Sequence, residues 1–118
     1  MWDSKPWDND AAADWFATLM EQTNMPALVR KTLLLVNVDD YSGEQTPELR
    51  AAAYCMLKFG HVYVWPGDEL AADLQLAIYA LKKVLLDDDY CYSSEVADDV
   101  EHEIEELEER LKKLGGDN

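Results

Sequence analysis

The residue types that most often bind metals are few in this chain, and their spacing matches no complete metal site. His102 lies among acids in the run Glu101-His102-Glu103-Ile104-Glu105-Glu106. A zinc-binding HExxH motif would need a second histidine where Glu106 stands. Asp99 precedes His102 by three positions, as in the carboxylate and histidine pairs of di-iron bundles, but those sites need a second pair and inward-facing ligands. His102 falls on the polar side of a predicted helix, so we expect an exposed histidine and no metal.

A second pattern, over residues 37–48, partly matches the calcium loop of an EF-hand. Asn37, Asp39 and Glu48 fall at the loop positions 1, 3 and 12 that supply ligands. Position 5 is Tyr41, however, and the glycine required at position 6 stands one place later. Glu48 is better explained as an acid in the first turn of a helix, where it complements the helix dipole. We therefore expect no metal ligand in this segment.

The chain offers little material for nucleophilic catalysis. Cys55 falls on the inner side of an alanine-rich helix pattern, where a free cysteine is usually inert packing. Cys91 stands among acids, which raise the pKa of a thiol and suppress the reactive thiolate. His61 could act as a base, but nothing in the sequence brings a nucleophile to it, and no glycine-rich phosphate loop is present. These residues predict no catalytic group, no cofactor and no enzymatic activity.

Aromatic residues beside acids are the best material for binding a protein partner. Aromatic side chains anchor protein interfaces, and acids steer basic partners toward them. The alternative is that most of these rings fill gaps beneath loops. The candidate partner-binding residues are Tyr63, Trp65, Asp87, Asp88, Asp89, Tyr90 and Tyr92.

Net charge restricts the class of partner. The chain has 25 acidic and 10 basic residues, which gives a net charge of −15 at pH 7. Such a field repels phosphate backbones and anionic lipids, so we expect neither nucleic acid nor membrane as a partner. A basic protein fits this charge, although high solubility alone would also explain it. Two isolated cysteines, with no signal-peptide pattern and no apolar run of membrane length, predict a cytoplasmic protein.

The periodicity of the apolar residues predicts five helices. The first follows Asp8-Asn9-Asp10, ends near Thr23-Asn24 and turns inward Ala12, Trp15, Phe16, Leu19 and Met20. The second begins near Pro26, whose fixed φ suits a first helical turn. It would bury Leu28, Val29, Leu33 and Val36. The run from Leu33 to Val36 would also suit a buried strand, but the charged pair just upstream favours a helix.

Start signals define the next helices. Thr46-Pro47 combines a hydroxyl cap with a proline, and the helix that follows should bury Leu49, Ala52, Ala53, Met56 and Leu57. Residues 61–65 have a β-like composition but no partner strand, so an extended connector is predicted. The fourth helix follows Pro66-Gly67-Asp68 and turns inward Leu70, Leu74, Ala77, Ile78, Leu81 and Leu85.

The fifth helix, which Ser93 or Ser94 would cap, has the most regular pattern. Its apolar residues alternate steps of three and four, as in a coiled coil: Ala97, Val100, Ile104, Leu107, Leu111 and Leu114. Pairing of two copies would oppose acids, Glu103 with Glu108 in parallel and Glu101 with Glu108 in antiparallel. We therefore expect this seam to pack on the protein's own core and the chain to be a monomer or a weak oligomer.

The N-terminal residues are predicted to pack on the bundle. With Asp8 as the helix cap, Trp7 would face Ala12 in a staple-like contact. We expect residues 1–7 to form an arm on the helices and residues 115–118 to fray.

The same stretch resembles the N-terminal signature of a bacterial family, domain of unknown function 4259. The matching pattern is Trp2-x-x-x-Pro6-Trp7-Asp8-Asn9-Asp10-x-Ala12-x-Asp14-Trp15. Members typically begin with Trp-Gly, then Phe-(Asp/Glu)-Asn-Asp, an alanine and Asp-Trp or Asp-Phe; here Asp3 replaces the glycine and Trp7 the phenylalanine. The resemblance implies a small bacterial cytosolic helical domain with no known activity. Its structural signature residues are Trp2, Trp7, Asp8, Asn9, Asp10, Asp14 and Trp15.

These patterns predict an all-α single domain over residues 1–118, built as a bundle of four to five helices with short loops. The leading functional hypothesis is a non-catalytic protein-binding domain, of the inhibitor or immunity type, that binds a basic protein. The alternatives are a nucleic-acid mimic that acts on a DNA-binding protein and an unrecognised metal-dependent enzyme.

Overall fold

The computed structural model describes residues 10–37, 45–62 and 64–115, except for the side chains of Asp10 and Ala13. These ranges contain five α-helices and no strand: α1 Asp10–Thr23, α2 Met25–Leu33, α3 Thr46–Phe59, α4 Gly67–Leu85 and α5 Ser94–Leu114, with a 3₁₀ turn at Leu34–Asn37. The predicted all-α bundle is confirmed. The predicted N-terminal arm and the last three residues lie outside the described residues, as do the individual residues Trp2, Trp7, Asp8, Asn9 and Tyr63.

α4 is the central helix, because it packs against both α3 and α5 and also touches α2. Five of its six predicted inward residues are buried, and Leu85 is half-buried. All five predicted inward residues of α3 are buried as well. Each fully buried leucine or methionine in such a core contributes about 1.5–3 kcal/mol of transfer free energy. The spacing of apolar residues thus predicts correctly how the central helices pack.

α5 packs its seam on the protein's own core, as predicted. Val100, Ile104 and Leu107 are buried between α5 and the neighbouring helices. The backbone N–H of Val96 donates to the Ser93 hydroxyl at 3.2 Å, which is the predicted cap. This apolar face is therefore used within the bundle.

For two residues of the first helices, the predicted inward orientation is wrong. Trp15 on α1 is 61% exposed and Leu28 on α2 is 64% exposed. Among the described elements α1 packs on α2. Of its apolar stripe, Met20 is buried in the core and Phe16 packs against it, partly buried. Asn24 separates the two helices in the left-handed region, at a φ of 56°, and this turn sets the direction in which α2 leaves α1.

Two connections also differ from their predictions. Thr46 does not cap α3, because the helix cap is Gln45 and the Thr46 hydroxyl bonds to Asp87 instead. Residues 61–65 form a hydrogen-bonded turn and not an extended connector. In this turn the N–H groups of Val64 and Trp65 donate to the carbonyl of His61, at 3.1 and 3.0 Å. These two N–H groups are satisfied locally, without a partner strand.

Candidate functional site

A buried carboxylate, Asp73 on α4, joins three elements of the fold. The residue is only 2% exposed. Arg30 on α2 donates from Nε to Oδ1 at 2.8 Å and from Nη2 to Oδ2 at 2.7 Å. The same Nη2 lies 2.8 Å from the carboxylate of Glu69. The hydrogen bonds to Asp73, opposed by partial burial, raise the pKa of Arg30 above its ordinary value, so two acids neutralise this cation.

Trp65 belongs to this cluster and not to a partner-binding surface. Trp65 is only 3% exposed, and its indole Nε1–H donates to Asp73 Oδ2 at 2.9 Å. The turn at residues 61–65 folds the ring back against the start of α4. A buried indole needs a hydrogen-bond acceptor, and Asp73 supplies it. The prediction of Trp65 as an accessible anchor is therefore wrong.

Asp87 holds the loop between α4 and α5 in shape. Its Oδ1 accepts hydrogen bonds from the backbone N–H groups of Asp89 and Tyr90, at 3.1 and 3.2 Å. Its Oδ2 accepts the hydroxyl of Thr46 at 2.7 Å. These hydrogen bonds, that of Thr46 foremost, hold the pKa of Asp87 below its usual value. Asp87 is thus a turn residue whose charge is used within the fold.

Tyr90, in the same loop, is half-buried and contacts Arg50 of α3. Its hydroxyl lies 3.5 Å from Nη1 of Arg50. Arg50 also donates from Nε and Nη2 to Glu103 on α5, at 3.2 and 2.7 Å. These bonds, chiefly that to Glu103, raise the pKa of Arg50 above its ordinary value. The ring of Tyr90 therefore fills a gap beside the core. Among the candidate partner-binding residues, Tyr90 has a structural role.

The other predicted residues of the loop face solvent. Asp88 and Asp89 are exposed, and Tyr92 is 79% exposed. The loop continues directly into the outer face of α5, where five acids of the first three turns are exposed. In the described part of the chain none of these acids forms an ion pair. We call the following set the acidic surface: Asp88, Asp89, Tyr92, Glu95, Asp98, Asp99, Glu101 and Glu105.

The second half of α5 differs, because basic residues pair with its acids. Glu106 lies 3.1 Å from Arg110, and Glu109 lies 3.7 Å from Lys113. Glu108 pairs across to Lys82 of α4 at 3.4 Å. Uncompensated negative charge is therefore concentrated at the end of α5 nearest the loop. From Glu95 to Glu105 this row runs about 15 Å along the helix axis.

Arg110 makes a further structural contact, at the end of α3. Its Nη1 donates to the backbone carbonyls of Met56 and Leu57, at 3.0 and 2.9 Å, and lies 3.3 Å from that of Gly60. Met56 and Leu57 belong to the last turn of α3, and Gly60 follows that turn. The carbonyl of Met56 also accepts the backbone N–H of Gly60, at 2.7 Å. Burial lowers the pKa of Arg110, although the nearby Glu106 opposes this shift. The side chain links α5 to the terminus of α3.

A groove of about 940 Å³ lies beside the Asp73 cluster, whose residues Arg30, Trp65 and Glu69 help to line it. Its walls come from α1, α2, the turn at residues 61–66, the start of α4 and the end of α5. Arg30 and Glu69 stand in its wall, already paired with each other, and Glu21 lies on the α1 side. Most of its lining is apolar: Ala17, Met20, Pro26, Ala27, Val62, Val64, Trp65, Leu70, Ala71 and Leu114.

The metal-binding and nucleophilic roles considered from the sequence find no supporting geometry among the described residues. Among the described residues no three histidine, cysteine or acidic side chains stand close enough to hold a metal ion. His102 is exposed. Burial raises the pKa of the Cys55 thiol, and burial followed by the charge of Asp87 raises that of Cys91. Both thiols are therefore poor nucleophiles at neutral pH. Residues 38–44 of the partial calcium loop lie outside the described ranges.

Several residues with structural roles were absent from the sequence-based prediction, and two of them carried a signal. Asp73 lies three positions after Leu70 and four before Ala77, on the apolar stripe of α4. Arg110 holds a similar position, between Leu107 and Leu114 on α5. A charge on an inward stripe must be paired, so this spacing indicates a buried polar contact. For Arg30 and Arg50 the sequence contains no comparable signal, and Thr46 was predicted only as a helix cap.

Comparisons with known proteins do not identify the chain. No helix in the described ranges combines the length and apolar character needed to cross a bilayer. No family model, no curated protein and no solved structure matches this sequence. The resemblance of residues 2–15 to domain of unknown function 4259 therefore stays a prediction.

Proposed function

We propose that this chain is a non-catalytic protein-binding domain that binds a basic protein through the acidic surface. The observation that carries the proposal is Tyr92, which is 79% exposed beside a row of acids that form no ion pair within the described ranges. An exposed aromatic ring is the type of residue that anchors protein interfaces. The acids around it would speed the approach of a positively charged partner and orient it.

The hydrogen bonds of Asp87 support this proposal, because they order the loop before any partner arrives. Asp87 binds two backbone N–H groups of the loop and the hydroxyl of Thr46. Arg50 and Tyr90 brace the loop against α3 and α5. Binding to an ordered loop costs less conformational entropy than binding to one that must fold on contact.

Further observations support a cytoplasmic protein that is a monomer or a weak oligomer. Both cysteines are free thiols, which suits a reducing compartment. The apolar seam of α5 is buried within the bundle. By blocking a basic surface, such a domain would act as an inhibitor of its partner.

A second candidate function, mimicry of nucleic acid, is favoured by the shape of the acidic surface. Its helical acids lie on one face of α5, in a molecule measuring 43 × 28 × 26 Å. A regular row of negative charges can occupy a site built for phosphates. In that case the partner would be a DNA-binding protein, and duplex DNA would compete with this chain for it.

The test compares affinity capture by the wild type with capture by two charge variants. One variant neutralises the unpaired half of α5, through Asp98→Asn, Glu101→Gln and Glu105→Gln. The matched control neutralises the paired half, through Glu106→Gln, Glu108→Gln and Glu109→Gln. Both variants change the net charge equally. A third variant, Tyr92→Ala, removes the ring alone.

The proposal expects a basic protein that binds the wild type and the control variant and that is lost with the unpaired-half variant and with Tyr92→Ala. Release of that protein by duplex DNA would select the mimic. Equal binding by both charge variants would show that net charge, and not this surface, is responsible. Recovery of no basic protein at low or moderate salt would refute the proposal.

A further inference from the structure

The groove has a mainly apolar lining that the described helices leave open. Val62 on its rim is one of the exposed large apolar residues. Arg30 is neutralised by Asp73 and Glu69, so the described residues of the groove offer no free cation to an anionic ligand. Glu21 has no ion pair among the described residues. The chemistry that fits is therefore apolar side chains accompanied by a single positive charge.

The register of α1 relates the groove to the beginning of the chain. Positions 10, 13, 17 and 20 recur at intervals of three and four, so they share one face of α1. Ala17 and Met20 on that face line the groove. Position 10, where α1 begins, therefore lies on the same helix face as the two residues that line the groove. Trp15 lies on the opposite face.

The segment before α1 has the composition and the length to reach across this opening. Residues 1–9 read MWDSKPWDN, with two indoles and one lysine. Measured from Asp10, an extended chain places Trp7 at about 10 Å and Trp2 at about 26 Å. Along α1, Ala17 lies about 10 Å and Glu21 about 16 Å from the same point. A proline at position 6 disfavours a helical conformation for the residue before it, so the sequence favours an extended segment.

We propose that residues 1–9 of this chain occupy the groove, running back along α1 with Trp2 and Trp7 against its apolar walls and Lys5 near Glu21. The volume of the groove is near the upper end of the roughly 300–1,000 Å³ found for small-molecule pockets, which is room for large side chains. The occupant is the chain's own segment and not a second copy, because it is already tethered at the mouth of the groove. Tethering raises its effective concentration there without requiring dimerisation.

The experiment places a nitroxide spin label on the rim of the groove in the full-length chain. Cys55 and Cys91 are first replaced by alanine, and a label is attached at Ala71→Cys, an exposed residue of the groove wall. Gly67→Cys is a second rim position, since an added Cβ there meets no atom within 4 Å. The control label is at Ser94→Cys, about 30 Å from Leu114 along α5. The probes are the indole N–H signals of the four tryptophans, assigned with Trp2→Phe and Trp7→Phe.

With either rim label, the Trp2 and Trp7 signals should lose most of their intensity, and with the Ser94→Cys label they should keep it. The Trp65 signal should also weaken with the rim labels, which verifies that the label reports on the groove. Unchanged Trp2 and Trp7 signals alongside a weakened Trp65 signal would overturn the proposal. A second sample mixes isotope-labelled, nitroxide-free chain with spin-labelled chain at natural abundance. Weakening in that mixture would assign the groove to a second copy and would also overturn the proposal.

Discussion

Arg30 on α2 and Asp73 on α4 form a two-point ion pair, with Nε 2.8 Å from Oδ1 and Nη2 2.7 Å from Oδ2. The pair joins residues 43 positions apart in the sequence and also receives the indole N–H of Trp65. One carboxylate thus holds α2, the turn at residues 61–65 and α4 together. A buried charge with several partners is costly to remove, because each partner then loses its bond.

Replacement of this carboxylate should destabilise the fold strongly. Asp73→Ala leaves Arg30 and the Trp65 indole without their acceptor, and the expected loss is about 3 kcal/mol, the lower end of the range for a broken buried pair because Arg30 keeps Glu69. Urea unfolding measures this loss. Glu69→Ala is the control, since its more exposed pair should cost less than about 1 kcal/mol. Equal losses in the two variants would contradict a structural role for Asp73.

Asp87 should make stability depend on pH in the acidic range. Hydrogen bonds from Thr46 and from the loop amides hold its pKa in the folded state below the unfolded value of about 3.9. The resulting stabilisation is present above that value and is lost as the pH falls through the folded pKa.

The free energy of unfolding of the wild type and of Asp87→Asn should therefore differ most near neutral pH and converge in acid. Thr46→Val, which removes the strongest donor, should raise the pKa of Asp87 and weaken this pH dependence. A difference between wild type and Asp87→Asn that stays constant on acidification would exclude the proposed cause.

The contact between Arg110 and the end of α3 should stabilise that terminus. Arg110→Met keeps most of the apolar stem but removes the donors to Met56 and Leu57, at an expected cost of about 1–3 kcal/mol. Hydrogen exchange should accelerate in the last turn of α3. Lys113→Met, which breaks only an exposed ion pair, is the control and should change stability by less than about 0.5 kcal/mol. If exchange in α3 is unaffected by Arg110→Met, the capping role is wrong.

Two tryptophan substitutions should have very different effects. Trp65→Ala empties a buried site and removes a hydrogen bond, so we expect a loss of about 3–5 kcal/mol. Trp15→Ala alters an exposed ring and should change the free energy of unfolding by no more than about 0.5 kcal/mol. Urea unfolding monitored by circular dichroism measures both without relying on tryptophan fluorescence. A large loss for Trp15→Ala would show that another element covers this residue.

The sequence was sufficient to predict the parts of the fold that depend on local spacing. Apolar residues at intervals of three and four predicted which faces of α3, α4 and α5 are buried. Ser93 was predicted as one of two caps for α5, and its hydroxyl does accept a helix N–H. These features succeed because helix periodicity and capping involve residues only a few positions apart.

The candidate site was predicted only in part. Asp88, Asp89 and Tyr92 are exposed, as a binding surface requires, whereas Trp65 is buried and Asp87 is occupied by Thr46. Composition alone could not separate these residues, since all stand in aromatic and acidic segments. Their exposure depends on which helix lies beside each loop.

The sequence by itself determined the helices, the strong negative charge and the absence of a recognisable catalytic motif, because these are properties of composition and short-range order. Only the tertiary structure decided that Arg30 meets Asp73, that Thr46 bonds to Asp87 and that Trp15 faces solvent. Such contacts join residues about 40 positions apart or depend on which of the described elements α1 contacts. They arise from the packing of whole helices, which no local pattern specifies.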